Sequence, residues 1–411
     1  MKFDQLFCTI FIVLLILFSC THDQIWQDNP RTILSNSEVN SEISIKLNRV
    51  YQFLDENNLD GIFLTQVRNF YWITAGLGNN QIVRNNEIGA ASVLILRNGK
   101  KYLICKGSEA DRLMDDSMAA LGYELVRYDW YKSNPKYDIR EKILDRLSDD
   151  GTIGSDVKYP GTILVSGKFA KLRYKLTDTE IKKYRWLGKE CTEAVEHVCR
   201  SIIPGMDEYE IEYITANALL SRGITPTVLL IAADERIYKY RHALAGGKKL
   251  ERYAMINVVG EKWGMSIAVT RFVHFGTLPN DLRLKLKAVA KLNTLFEIST
   301  VPGKPLNKIF EECKEWYADV GWEGEWKLHH QGGATGYMSR ELAIYPGVDG
   351  VVLENQAYAW NPTITGAKIE DTIIIHADSF EVVTRSENWP LIPVTLNERT
   401  YWQPDILIRK N

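Results

Sequence analysis

Three things that would each mark a class of protein are scarce or missing here. Crossing a bilayer as a helix takes about 20 consecutive apolar residues. The longest run, Leu6–Phe18, is about thirteen residues long and is broken by Cys8 and Thr9. Charge of one sign is not in excess: 50 basic and 52 acidic side chains leave a formal net charge of −2. Nucleic acid as a main partner would demand a concentrated basic face, so that class is set aside. Cysteine and proline are sparse, 6 and 13 in 411 residues, with no metal-ligand cysteine spacing and no Pro-rich or low-complexity tract. What remains is 45% hydrophobic and 25% charged, the composition of a folded globular chain rather than a disordered, collagenous or coiled-coil one. At roughly 100–200 residues per domain, two or three domains are expected.

The apolar run near the N-terminus follows Lys2 and ends Leu17-Phe18-Ser19-Cys20. It has the length of a secretory h-region, and its end resembles a bacterial lipoprotein signal, with Cys20 as the lipidated first mature residue. The alternative is an uncleaved anchor. Either way the body is expected in the bacterial cell envelope, on the periplasmic or surface side, held to a membrane by its N-terminus, and through a lipid on Cys20 in the lipoprotein reading. Residues 1–20 are then the signal and 21–40 a polar tether. Four cysteines remain beyond it: Cys105, Cys191, Cys199 and Cys313. Cys191 and Cys199 lie on one expected helix, about 12 Å apart at 1.5 Å per residue, beyond the roughly 7 Å that a disulfide spans. Buried free thiols are expected.

Downstream, the patterns alternate. Ile43, Leu47, Val50, Phe53 and Leu54 recur at helical spacing. Strand-like runs follow at Gly61–Thr65, Ser92–Leu96 and Lys101–Cys105, the last two around an Asn98-Gly99 turn. An α/β domain over residues 41–170 is expected. A second domain, 171–411, opens on Thr177-Asp178-Thr179-Glu180, a capping box. Inside it Ile203-Pro204-Gly205 and Val301-Pro302-Gly303 each follow a long helix, 98 residues apart, and each is followed by a helix and then strand-rich sequence. A unit used twice implies a pseudo-twofold α/β domain with its pocket between two sheets.

Several short motifs fit this layout: Arg68 to Gly76, Pro204 to Glu208, Arg241-His242-Ala243, Val269 to Phe272, the glycines after His330, and Ile369 to Thr372. In order and spacing they resemble the pita-bread superfamily of creatinase, aminopeptidase P, prolidase and methionine aminopeptidase, over roughly residues 43–385. The resemblance implies an α/β fold, a creatinase-like N-terminal domain followed by a pita-bread domain, and a homodimer. It also implies five protein ligands for two divalent metals, and here the chain departs from it. The two aspartate positions hold Asn257 and Ala268 and the metal histidine falls at Gly333; a second histidine of that strand, outside the five ligands, falls at Arg340. The Glu-Pro step becomes Asn361 before Pro362, or Pro362 itself if no gap is allowed, and only Glu370 keeps its carboxylate. One carboxylate cannot hold two dications against water, so no metal and no cofactor are expected.

A different polar set is left. His242 matches the family histidine that contacts the scissile substrate, and with Glu370 it is the expected catalytic pair. His329, His330, Tyr337, Arg340, Trp360 and Asn361 are the expected substrate contacts. Arg340 offers a bidentate carboxylate clamp and Asn361 an amide for a carbonyl. Since adjacent strand residues face opposite ways, one of His329 and His330, not both, is expected to face inward. The function that follows is a metal-independent hydrolase of a C–N bond in a small amide, amidine or short peptide. The alternatives are a non-catalytic binding protein on the same fold and a metal-dependent Xaa-Pro aminopeptidase. No serine or cysteine triad and no phosphate-binding glycine loop is recognisable.

If Cys20 carries the lipid, Cys20→Ala should abolish labelling by a radioactive or clickable fatty acid and leave a precursor-sized protein. Labelling that survives the substitution would remove the lipoprotein reading.

Overall fold

In the computed structural model, which describes residues 30–134 and 136–410, the first domain starts earlier than the residue-41 boundary. Helix Asn36–Glu56 opens on a reciprocal capping box between Ser35 and Glu38, and Leu34 and Val39 are already in the core. The last part of the expected tether is therefore folded, with the Ser35 hydroxyl accepting from Glu38 N–H and the Glu38 carboxylate from Ser35 N–H. Cys20, the Leu6–Phe18 run and the rest of the tether lie outside the described residues. Among the described residues no helix is long and apolar enough to cross a membrane.

The first domain is built on a six-stranded sheet in the order β4-β3-β2-β1-β5-β6. Its strands are β1 Gly61–Gln66, β2 Ile88–Leu96, β3 Lys101–Lys106, β4 Glu124–Tyr128, β5 Ile153–Ser155 and β6 Thr162–Leu164. The central β1 is buried along its whole length, as expected for a strand covered on both faces. The β2–β3 pair is antiparallel and encloses the Asn98-Gly99 turn. Cys105, Cys191, Cys199 and Cys313 are all buried and free.

The second domain repeats one unit. Helix Asp178–Ser201, begun by the Thr177–Glu180 capping box, leads through Pro204-Gly205 to helix Glu208–Leu220. Helix Asn280–Ser299 leads through Pro302-Gly303 to helix Leu306–Asp319. The two turns close alike. Gly205 N–H donates to Leu250 O at 2.8 Å and Leu250 N–H to Met206 O at 2.8 Å, while Gly303 N–H donates to Val352 O at 2.9 Å and Val352 N–H to Lys304 O at 3.0 Å. A sequence repeat has become a repeat of backbone hydrogen bonds. The first unit ends in β7 Thr225–Ala233, β8 Tyr253–Lys262 and β9 Met265–Phe275; the second carries β10 Gly332–Thr335, β11 Leu342–Ala343, β12 Ala357–Trp360, β13 Thr363–Ile364, β14 Ala367–Lys368, β15 Asp371–Ile375 and β16 Phe380–Val382. The two sheets meet where Thr270 N–H donates to Glu370 O at 3.0 Å. Beside it the Thr372 hydroxyl accepts from Ala268 N–H at 3.0 Å and donates to Ala268 O at 3.0 Å. Arg271 buttresses the same seam, bound to Asp371 at 3.0 Å and Glu196 at 3.3 Å.

The domains are joined by a charge cluster with no solvent access. Lys46 reaches Glu42 at 2.6 Å and Glu180 at 2.8 Å, and Lys183 reaches Glu42 at 2.8 Å, with all four side chains fully buried. The Tyr337 hydroxyl accepts from Lys46 at 2.9 Å and donates to Glu180 at 2.7 Å. Two ammonium groups match two carboxylates, so the cluster is neutral only while complete. Lys46→Met should cost about 3–5 kcal/mol in urea denaturation, the range for stranding one partner of a buried pair. A loss below about 1 kcal/mol would mean that water reaches the cluster.

Candidate active site

The seam between the two sheets sets the site. Asn257 on β8 and Thr270 on β9 are directly paired in register, and Thr270 bridges to Glu370. Lys368 and Glu370, two residues apart, project to one face as the period of an extended chain requires. The Glu370 carboxylate is buried, 2% exposed. Its Oε2 accepts from the Thr270 hydroxyl at 2.7 Å and from the Asn257 amide, and lies 3.0 Å from Lys368 Nζ. Its Oε1 accepts from the Asn361 amide at 3.4 Å and lies 3.5 Å from the Arg340 guanidinium. Burial pushes the Glu370 pKa up, but Lys368, Arg340 and these donors outweigh it and hold the carboxylate at about 2.

A cavity of about 360 Å³ opens over this group. Asn257, Asn361, Arg340, Lys368 and Glu370 form its polar wall, His242 and His330 its rim, and Val228, Leu230 and Val259 its apolar wall. Arg340 Nε and Asn361 Oδ1 are buried without a hydrogen-bond partner, free for a ligand that accepts from one and donates to the other. His242 and His329 meet Nε2 to Nε2 at 2.9 Å. The His330 ring stacks on His329 with centroids 4.4 Å apart and lies 5.8 Å from the His242 ring. All three imidazoles are held below their ordinary value by burial and by the cations behind them, His329 to about 2 and His330 to about 4. They are neutral at pH 7.

Of His329 and His330, only His330 lines the cavity, with His329 buried behind it, yet both rings pack on His242. Their shared approach to His242 comes from an irregular backbone rather than from a strand. His329 ends the 3₁₀ turn Glu325–Leu328, β10 begins only at Gly332, and Gly332 itself bends the chain at φ +104°.

Two other expected contacts lie elsewhere. Tyr337 is 3% exposed, its hydroxyl locked in the interdomain cluster rather than aimed at the cavity. Trp360 is 1% exposed, stacked on Phe296 and Tyr358 at 4.8 and 5.4 Å, and its indole N–H donates to Thr300 at 3.1 Å. It faces opposite Asn361 and belongs to the core. Lys368 also lines the cavity without having been among the expected contacts, and the apolar wall from β7 carried no motif at all.

The residues were tested against the two-metal centre that the fold implies, and they do not fit it. The aspartate positions carry Asn257 and Ala268, and Ala268 packs with Val259 and Ala359 in an apolar cluster. A side chain at Gly333 would bring its Cβ within 2.1 Å of Leu342 O. The cavity wall holds one carboxylate, Glu370, and Lys368 and Arg340 already oppose it.

No protein-family model matches the chain. By sequence it is 21% identical to an Xaa-Pro dipeptidase of Pyrococcus furiosus over 366 residues, 83% of this chain and 98% of that protein. Among solved structures it is similar to an Xaa-Pro dipeptidase from Bacillus anthracis, with TM-score 0.68 and 19% identity over 89% of this chain and 100% of the other. It is also similar to an X-Pro aminopeptidase from Thermotoga maritima, with TM-score 0.67 and 17% identity over 88% and 99%. The N-terminal domain of a FACT complex subunit from Cicer arietinum has the fold too, with TM-score 0.60 and 14% identity over 84% and 96%.

Glu370 makes acid stability a readout of this site. Its folded pKa of about 2 lies below the ordinary 4.5, so the stability it contributes is full above 4.5 and is lost as pH falls through about 2. Denaturation free energies measured between pH 5 and pH 2 should therefore fall less steeply in Glu370→Gln than in the parent. Parallel curves would show that the carboxylate is not held by its neighbours.

Proposed function

Starting from a divergent chain with the prolidase-type pita-bread fold, an N-terminal domain followed by the two-sheet domain, we propose that it hydrolyses a C–N bond in a short peptide or small amide or amidine without a two-metal centre. The observation that carries this reading is the convergence of His242, Arg340, Asn361, Lys368 and Glu370 on one cavity, with neutral residues at four of the five metal-ligand positions. We extend the proposal to membrane attachment through Cys20 and to a homodimer.

His242 is the proton-handling group. When its Nε2–H donates to His329, its Nδ1 keeps a lone pair, and the low pKa keeps that nitrogen unprotonated at neutral pH. Water adds its oxygen to the substrate carbon while His242 takes a water proton. The C–N bond then breaks and the same proton passes to the leaving nitrogen. The Asn361 amide and the Lys368 ammonium stand beside the carbon's oxygen or nitrogen as negative charge develops there. The Arg340 guanidinium takes a substrate carboxylate, and Glu370 holds both cations in place rather than reacting.

Two other readings each have one observation behind them. The names of the similar proteins favour an Xaa-Pro peptidase, which with metals is the first of them, and the loss of most metal-ligand positions favours a non-catalytic binding role. Purified protein assayed on a panel of short peptides and amides separates the three. We expect His242→Ala to lose at least about 10²-fold in turnover, the usual contribution of a positioned acid–base group. Its stability should stay within about 1 kcal/mol. The plateau of kcat/KM should extend below pH 6.5, because His242 titrates below its ordinary value. A chelator should not lower the rate. About two metals per chain with activity lost to the chelator would establish the metallopeptidase instead, and no turnover on any member would leave binding.

A further inference from the structure

The proton path uses two of the three clustered imidazoles and leaves His330 without a task. We infer that His242, His329 and His330 together form a site for one divalent transition-metal ion, built from residues other than the lost carboxylate ligands, and that this ion silences the proton pair. Their ligand nitrogens all lie within 4.8 Å of one another. Two nitrogens on one tetrahedral zinc are about 3.3 Å apart, given Zn–N distances of about 2.0–2.1 Å. The His242–His329 pair is at 2.9 Å already, so only the exposed His330 ring has to close in.

The frame around the three rings is fixed. The Gln331 amide donates to His329 O at 2.7 Å, and its carbonyl accepts from the Tyr317 hydroxyl at 2.8 Å. On the other side Arg241, next to His242, is bound to Glu325 and to the Thr365 hydroxyl. Glu325 opens the turn that leads into His329, so one ion pair ties both ligand-bearing segments together. His329 is the buried anchor, with Nδ1 unpartnered, while His242 and His330 are exposed and give an ion its way in. Three neutral imidazoles suit zinc, cobalt, nickel or copper far better than magnesium or calcium.

The charges facing the site oppose occupancy. Lys368 and Arg340 are cations within electrostatic reach of the histidines, and Glu370 is the carboxylate that partly offsets them. Affinity is therefore moderated by Lys368, a dependence that a metal bound elsewhere would not show. An ion bound at His242 Nε2 leaves the ring's single proton on Nδ1, which removes the base, so zinc inhibits. The inhibition, unlike the binding, rests on the hydrolase reading.

The test uses the untagged full chain at pH 7.5, titrated with zinc against a chromophoric chelator, and with cobalt for its visible spectrum. We expect one ion per chain with tetrahedral cobalt bands, at least tenfold weaker binding in His330→Ala, and tighter binding in Lys368→Met. Failure to take zinc from the chelator, or unchanged affinity in His330→Ala, overturns the site. Stoichiometric zinc that leaves turnover unchanged upholds the site and instead overturns the role of His242 as base.

Discussion

A carboxylate buried to 2% exposure is tolerated only if its charge is met, and Glu370 is met from every side. Lys368 and Arg340 supply charge, Thr270, Asn257 and Asn361 supply donors. These five groups come from both halves of the second domain, so the ion cluster and the seam between the sheets are one structure. In a two-metal enzyme of this fold, dications and several carboxylates would balance there. Here side chains do both jobs, with a single carboxylate and two resident cations. The cavity above it is consequently lined with donors and neutral imidazoles, which suits an electron-rich ligand.

A second buried cluster, Glu42, Lys46, Glu180 and Lys183 with Tyr337, fixes the first domain against the second. Tyr337 follows the glycine-rich strand that leads away from His330, so the interdomain lock and one wall of the cavity are a few residues apart in sequence. Desolvation makes each cluster costly to leave half-formed. They define where the domains and the sheets can sit.

Much of this was legible in the sequence where local physics decides. The Thr177–Glu180 capping box, the Asn98-Gly99 turn and the two Pro-Gly turns 98 residues apart all became the elements that they suggest. Ser35-x-x-Glu38 carries the same capping signal as Thr177-x-x-Glu180 and places the helix start ahead of residue 41. At the site, the resemblance placed Asn257, Asn361 and Glu370 at ligand positions of one centre, and the three do converge. Long-range geometry was not legible. That His329 and His330 would both pack on His242 was not visible, because a 3₁₀ turn and a left-handed Gly332 break the regular strand there. Aromatic character misassigned Tyr337 and Trp360, whose partners Lys46 and Phe296 lie far away in sequence.

The central claim is that the Glu370 carboxylate is balanced by protein cations rather than by metals. Anomalous diffraction at the manganese edge, from crystals of the chain grown with manganese, tests it most directly, since manganese prefers oxygen ligands over imidazole. The account predicts no anomalous peak within coordination distance of Glu370 and Lys368 Nζ still against its carboxylate. A pair of peaks bridged by Glu370, with Lys368 turned away, would contradict it.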